Sequence, residues 1–148
     1  MEPQVKEEIL AFVKRSKSVI LSVTDAKGAP MQKALSLLGN YEFVLYFTTT
    51  RTSAFCAQFS ANKPVSAYLL YDDPDNLHPG QCNGLSLSGH VEAVTDRPTK
   101  ERFWQDRFSR NYPNGVDDEN YNLLRFVPKG GKYFRVASEG MFSTEFEL

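Results

Sequence analysis

The chain has 148 residues, 41% hydrophobic, 24% charged and 13% aromatic, a balance that excludes a disordered chain and suits one domain with a real core. Its 17 Lys and Arg against 18 Asp and Glu leave a net charge of −1, so no global field draws nucleic acid or anionic lipid and any anion site has to be local. No stretch approaches the roughly 18 apolar residues of a membrane span, no signal-like start is visible, and two cysteines cannot build a disulfide framework, so the expected setting is a reducing cytoplasm with no membrane partner.

Residues 3–15 place Val5, Ile9, Phe12 and Val13 on one face of a helix opened by Pro3. Residues 19–24 read as a strand, 25–28 as a turn, 31–38 as a second strand, Gly39-Asn40 as a turn and 42–48 as a third strand, together a meander. A short helix is predicted over 52–62, a strand over 64–71 and a loop over 72–80. Residues 83–94 alternate as a long half-buried strand, with Gly89 marking a bulge or a close backbone approach. A helix over 96–110 carries Phe103, Trp104, Arg107 and Phe108 on one side; a turn-rich loop covers 112–119. Two strands, 121–127 and 132–136, flank a Lys129-Gly130-Gly131 turn. About seven short strands with three helices predict a mainly β, barrel-like domain over 1–148.

The stretch with the most chemistry is Tyr46-Phe47-Thr48-Thr49-Thr50-Arg51-Thr52-Ser53, where an apolar strand runs into hydroxyls and a guanidinium before a helix start. Backbone N–H groups, hydroxyl donors and Arg51 in that order suit a phosphate or another anion. The same Thr and Ser residues also serve as ordinary helix caps. His78, Cys82, Cys56 and His90 lack the paired spacing of a zinc site, so no metal is expected. The run Asp117-Asp118-Glu119 lacks calcium-loop spacing and reads as a solvated turn. With His78 and His90 the only histidines, no nucleophile–base constellation stands out, and catalytic residues stay unknown.

Four marks occur in a recognisable order. They are the Asp25-Ala26-Lys27-Gly28-Ala29-Pro30 hairpin, the Phe47 to Ser53 turn, Asn62-Lys63-Pro64-Val65, and Leu87-Ser88-Gly89-His90-Val91-Glu92. Together they resemble the pyridoxamine 5'-phosphate oxidase-like FMN-binding split barrels over roughly residues 5–135. The segment from Phe103-Trp104 through Tyr112 to Tyr121 is similar to their bacterial general stress protein branch. The resemblance implies a split β-barrel of six to seven antiparallel strands that forms a homodimer with FMN at the subunit interface. It implies that Lys33 stands at a second-strand basic position, that Thr48 and Thr49 line the cofactor edge, and that Arg51 and Ser53 lie in the phosphate turn. Trp104 becomes a candidate for stacking on the cofactor ring.

One departure matters: where that family commonly has a lysine two residues past the serine, this chain has Phe55. Losing a charge beside a phosphate costs on the order of 1 kcal/mol or more. Deazaflavin and haem are therefore alternative cofactors. The resemblance implies a flavin-dependent oxidoreductase whose substrate is unspecified. The alternatives are a non-enzymatic, cofactor-binding stress protein or a barrel that has lost flavin binding.

Overall fold

The computed structural model describes residues 1–59, 63–70, 83–137 and 139–148. Helix α1 (Pro3–Arg15) has the predicted bounds, and Pro3 sits in its first turn, where a missing N–H costs nothing. Ile9, Phe12 and Val13 are buried on its inner face, and Lys14 and Arg15 occupy the last turn, where cations suit the helix dipole. Eight strands follow among the described residues, not six or seven. They are β1 (Ser18–Thr24), β2 (Pro30–Ser36), β3 (Gly39–Tyr41), β4 (Val44–Thr48), β5 (Val65–Leu70), β6 (Gly84–Ala93), β7 (Leu123–Ala137) and β8 (Gly140–Glu147). All ladders are antiparallel, in the order β2-β1-β5-β6-β7-β4-β3, with β8 added alongside β7.

The predicted meander is only half right. β1 and β2 do form a hairpin, held by Asp25, whose Oδ1 accepts the N–H groups of Lys27 (2.8 Å) and Ala29 (2.9 Å), with Gly28 at φ +80°. Gly39 and Asn40, however, belong to a strand, and the turn falls later, where Glu42 takes φ 47°. β4 pairs with β3 and β7 and has no ladder with β2. The reason is apolar: Leu45 and Phe47 are fully buried opposite Phe126 and Leu124, a match that the mostly exposed β2 cannot offer.

β2 and β3, the two ends of the sheet, are consecutive stretches of one segment. The changeover falls between neighbouring amides: Leu37 N–H donates to Lys17 O and Leu38 N–H donates to Tyr46 O, each at 2.9 Å. The sheet therefore curls round on itself, and an open seam separates β2 from β4. The main core fills the inside with Leu21, Leu45, Phe47, Leu69, Leu85 and Phe126, and α1 covers it with Ile9 and Phe12.

β6 confirms the glycine reading. Its register with β7 shifts between Ser88 and Gly89, and a Cβ on Gly89 would collide with the carbonyl oxygen of Val127 and lie 2.8 Å from Pro128 Cα. The predicted Lys129-Gly130-Gly131 turn does not exist, because β7 runs straight through it. A Cβ on Gly130 would lie 2.6 Å from Phe146 O, and one on Gly131 would strike Ser86 O, so these glycines let neighbouring strands approach. Pro128 is tolerated inside this strand because it sits opposite Gly89 at the bulge with β6, and on the other side lies between the β4 ladder, which ends at Phe126, and the β8 ladder, which starts at Gly130.

The predicted helix over 96–110 is also broken. Helix α2 spans only Arg97–Arg102, capped by Asp96, whose carboxylate accepts the Thr99 N–H (3.1 Å) and the Thr99 hydroxyl. Gln105 is extended, and Asp106–Arg110 forms a separate 3₁₀ turn. The break lets Phe103, stacked on Tyr46 (4.4 Å between centroids), and Phe108 both enter a second cluster with Tyr121 and Leu123, against which Trp104 packs. Asp118, read as solvated, is 4% exposed and accepts the N–H groups of Asn114 (3.1 Å) and Asn120 (3.0 Å), which fixes the loop beneath that cluster. Among the described residues no helix is long and apolar enough to cross a membrane.

Candidate functional site

Along β4 the inward residues Leu45 and Phe47 alternate with half-buried Tyr46 and Thr48 on the other face. At its end the chain becomes polar and must satisfy its own groups. Thr48 Oγ1 donates to Asn122 O at 2.9 Å, tying β4 to the start of β7. Asn122, 5% exposed, points its side-chain amide at Thr49 O (3.4 Å) and Cys56 Sγ (3.3 Å). Thr49 is 6% exposed and its hydroxyl has no partner among the described residues, which is costly unless something else reaches it.

The turn that follows is a cap and an open anion cradle at once. Ser53 N–H donates to Thr50 O (3.0 Å), and Ser53 Oγ accepts the Cys56 N–H (3.0 Å), so the cap reading of Ser53 holds. The predicted helix over 52–62 is, among the described residues, a single 3₁₀ turn over Cys56–Gln58, too short to add a helix dipole of any size. What remains for an anion is local: Arg51 is exposed and in no ion pair, and the N–H groups of Thr52, Ala54 and Phe55 have no partner among the described residues. Phe55 itself is 5% exposed and packs edge-on against Phe59 at 5.2 Å, part of the core and not of the cradle.

Lys33 is exposed at the middle of β2, opposite buried Leu21 and on the same face as Met31 and Leu35, which pack on the core. That leaves a charge on the inner parity of an edge strand. Trp104 stands apart from the β4 turn, ringed by Phe108 (5.6 Å), Tyr112 (6.4 Å) and Tyr121 (5.1 Å). Tyr121 is buried in the same cluster, donates to Lys100 O (3.1 Å), and burial pushes its phenol up to about 12.

Over the open seam lies a cleft of about 690 Å³. Ala34, Leu35 and Ser36 of β2 form one wall, Leu38 and Thr48 the floor, and Arg107, Phe108, Arg110 and Asn111 of the 3₁₀ turn the other wall. Of the six residues singled out in the sequence, Thr48 lines this cleft; Arg51 and Ser53 follow it within one turn. Arg110 and Asn111 went unnoticed, and Arg107 was read only as part of a helix face, not as a cleft residue. Two arginines flanking a phenylalanine were a signal, hidden by the assumption of one continuous helix.

A further polar cluster sits on the outer face at the far end of β6. His90 Nε2 and Glu92 Oε1 are 2.7 Å apart, and Arg125 Nε and Nη2 each reach Glu92 Oε2 at 2.9 Å. Hydrogen bonds from His90 and then Arg125 hold the Glu92 carboxyl below its ordinary 4.5. A carboxylate lowered on folding stabilises the fold fully above pH 4.5, and the contribution fades as pH falls through its folded value. Glu92→Gln should therefore melt lower than wild type at pH 7, with the gap narrowing as pH falls below 4.5; a gap that stays constant through the acid range by differential scanning calorimetry would refute this. His78 and Cys82 lie outside the described residues; among those described, no cluster of three or more His, Cys, Asp or Glu side chains has a metal-holding arrangement.

The cleft and its adjoining turn fit a flat, phosphate-bearing cofactor. The cleft has a volume in the range of small-molecule sites, and the turn that follows its Thr48 holds, among the described residues, a guanidinium in no ion pair beside backbone N–H groups without partners. No curated protein sequence matches the chain significantly. Solved structures do. A Clostridium acetobutylicum protein related to general stress protein 26 of Bacillus subtilis (pyridoxinephosphate oxidase family) is 25% identical, with a TM-score of 0.73 over 99% of this chain and 97% of that one. General stress protein 26 from Bacillus anthracis is 20% identical, with a TM-score of 0.73 over 98% and 99%. A haem storage protein from Vibrio cholerae shares the fold at 17% identity, with a TM-score of 0.61 over 99% and 95%. The model of the pyridoxamine 5'-phosphate oxidase family matches residues 5–135, and the chain belongs to that family.

Proposed function

We propose that the protein binds FMN at the seam and serves as a flavin-dependent oxidoreductase on a small molecule. The observation that carries this is the conjunction of the seam cleft with the turn after β4. There, among the described residues, the buried Thr49 hydroxyl has no partner and Arg51, two residues on, is in no ion pair. Thr48 and Thr49 would meet the ring edge, and Arg51, Ser53 and the free N–H groups the phosphate. Lys33 would add charge from β2, and Trp104 would support the wall through Phe108. When bound, the flavin supplies hydride or electron transfer, so the protein need only anchor, orient and shield it.

A homodimer belongs to this reading. The outer face of β1, β5 and β6 carries Ser22, Ser66, Ser86 and Ser88, with Tyr68 and Leu70 partly exposed, continues onto Gln32 of β2, and is covered by no helix among the described residues. A nearly uncharged face of small side chains is readily buried in a two-fold contact.

The test is a pair of titrations followed by flavin fluorescence. Arg51→Ala should weaken FMN binding about tenfold or more and leave riboflavin nearly untouched, since only FMN carries the phosphate. Equal losses for both would remove Arg51 from the phosphate. A non-enzymatic binding role has one observation in its favour, the shared fold of a haem storage protein. Bound flavin that NAD(P)H and other reductants fail to reduce would favour that role.

A further inference from the structure

We propose that Asn122 is a positioning residue for the anion cradle after β4, the group that makes the site select a phosphate-bearing ligand over its phosphate-free counterpart. This deepens the flavin reading and rests on it for the identity of the ligand. Asn122 lies just ahead of β7 and is 5% exposed, between Tyr121 and Leu123, each 1% exposed in the second cluster. The Tyr121 N–H donates to Asp118 O (3.0 Å), which ties this stretch to the loop fixed by buried Asp118. A side chain set among such close-packed neighbours has little room to give way.

From that fixed point Asn122 holds the turn at both ends. At the front its main-chain oxygen accepts the Thr48 hydroxyl (2.9 Å), and its side-chain amide donates to Thr49 O (3.4 Å). At the rear the same amide donates to Cys56 Sγ (3.3 Å). A primary amide carries two N–H groups, so one nitrogen serves both ends at once and draws Thr49 and Cys56 together. What the cradle offers an anion lies on the loop between them: Arg51, and the N–H groups of Thr52, Ala54 and Phe55, which have no partner among the described residues. Bonds within the loop, Ser53 N–H to Thr50 O and Cys56 N–H to Ser53 Oγ, set its shape but not its place against the sheet. Phe55 anchors it in the core, and Lys63 Nζ, donating to Thr24 O (3.0 Å) and Gln58 Oε1 (2.9 Å), braces the chain beyond Cys56. Among the described residues Asn122 alone bonds to both ends. A cradle ordered beforehand keeps the affinity that a loose one gives up to ordering when the phosphate binds. Riboflavin has no phosphate and makes no use of the loop.

The test uses Asn122→Leu, branched alike but without N–H groups, together with Cys56→Ala and Cys56→Ser, which remove and keep an acceptor at the rear end alone. In ligand-free protein, hydrogen exchange of the amides of residues 50–56 should quicken about tenfold or more in Asn122→Leu and Cys56→Ala, stay near wild type in Cys56→Ser, and leave β6 unchanged. FMN affinity should fall about tenfold or more in Asn122→Leu while riboflavin affinity holds. Arg51→Ala should then lose much less FMN affinity in the Asn122→Leu background than in wild type, because its guanidinium has already lost its place. A merely structural role would lower stability and leave both the FMN-to-riboflavin ratio and the effect of Arg51→Ala as they are in wild type. That result overturns the proposal, as does unchanged exchange in the loop. If the wild type binds neither flavin, the flavin reading fails alone and inorganic phosphate becomes the probe. It should slow exchange of the loop in wild type and not in Asn122→Leu; no slowing in wild type, or equal slowing in both, overturns the proposal. Should near-UV circular dichroism show that Asn122→Leu does not fold, the two Cys56 variants carry the same comparisons.

Discussion

Phe55→Lys, which restores the family's usual residue, should destabilise the protein by about 3–5 kcal/mol and leave FMN binding no tighter. Phe55 is 5% exposed, lies edge-on to Phe59, and Phe59 in turn meets Phe47 at 6.2 Å. Replacing it removes a buried ring from that stack and asks an ammonium group to enter the space or drag its stem out of it. The backbone at this position aims the side chain at the core, so the new charge would not reach the cradle around Arg51. Urea unfolding of the two proteins, paired with FMN titration, checks both halves. A variant of wild-type stability that binds FMN more tightly would mean that the turn can rotate its third residue outward.

Gly89→Ala should be nearly as damaging, about 3 kcal/mol or more, at the upper end of the cost of overpacking. The added methyl would meet Val127 O and Pro128 Cα, both backbone atoms of the strand that joins β6, β4 and β8. A side chain could step aside; a central strand cannot without shifting several ladders. The bulge at Ser88/Gly89 also sets the register that brings Glu92 opposite Arg125. The loss of stability should therefore come with a loss of the Glu92–Arg125 pair, visible as a flatter dependence of melting temperature on acid. A variant with native stability would show that the two strands are further apart than described.

The sequence spoke clearly where one element's pattern answered to one surface. The stripe of Ile9, Phe12 and Val13 opened by Pro3 gives α1, and the alternation around Leu85, Leu87 and Val91 gives β6 and its glycine. It was silent where two distant segments decide the outcome. That β4 prefers β7 to β2 depends on Phe126 and Leu124, more than 70 residues away from Leu45 and Phe47 in the chain. Gly130 and Gly131 look like a turn in any local window, and only the approach of β8 and β6 shows that they thin a straight strand. The candidate site divides likewise. The hydroxyl-rich turn after β4 could be read locally, whereas Arg107 and Arg110 reach the cleft only because the chain breaks after Arg102 and brings Phe103, Trp104 and Phe108 to one cluster with Tyr121 and Leu123.

The changeover between Leu37 and Leu38 has a dynamic consequence. One amide is fastened to the β1 side and the next to the β4 side, so the two walls of the seam cannot separate without releasing one of them. Their hydrogen exchange with deuterated solvent thus measures how often the seam parts, an event local to it and cheaper than global unfolding. A molecule held in the cleft, bridging β2 to Thr48, would slow both amides together while leaving those of β6 at the rate set by global unfolding.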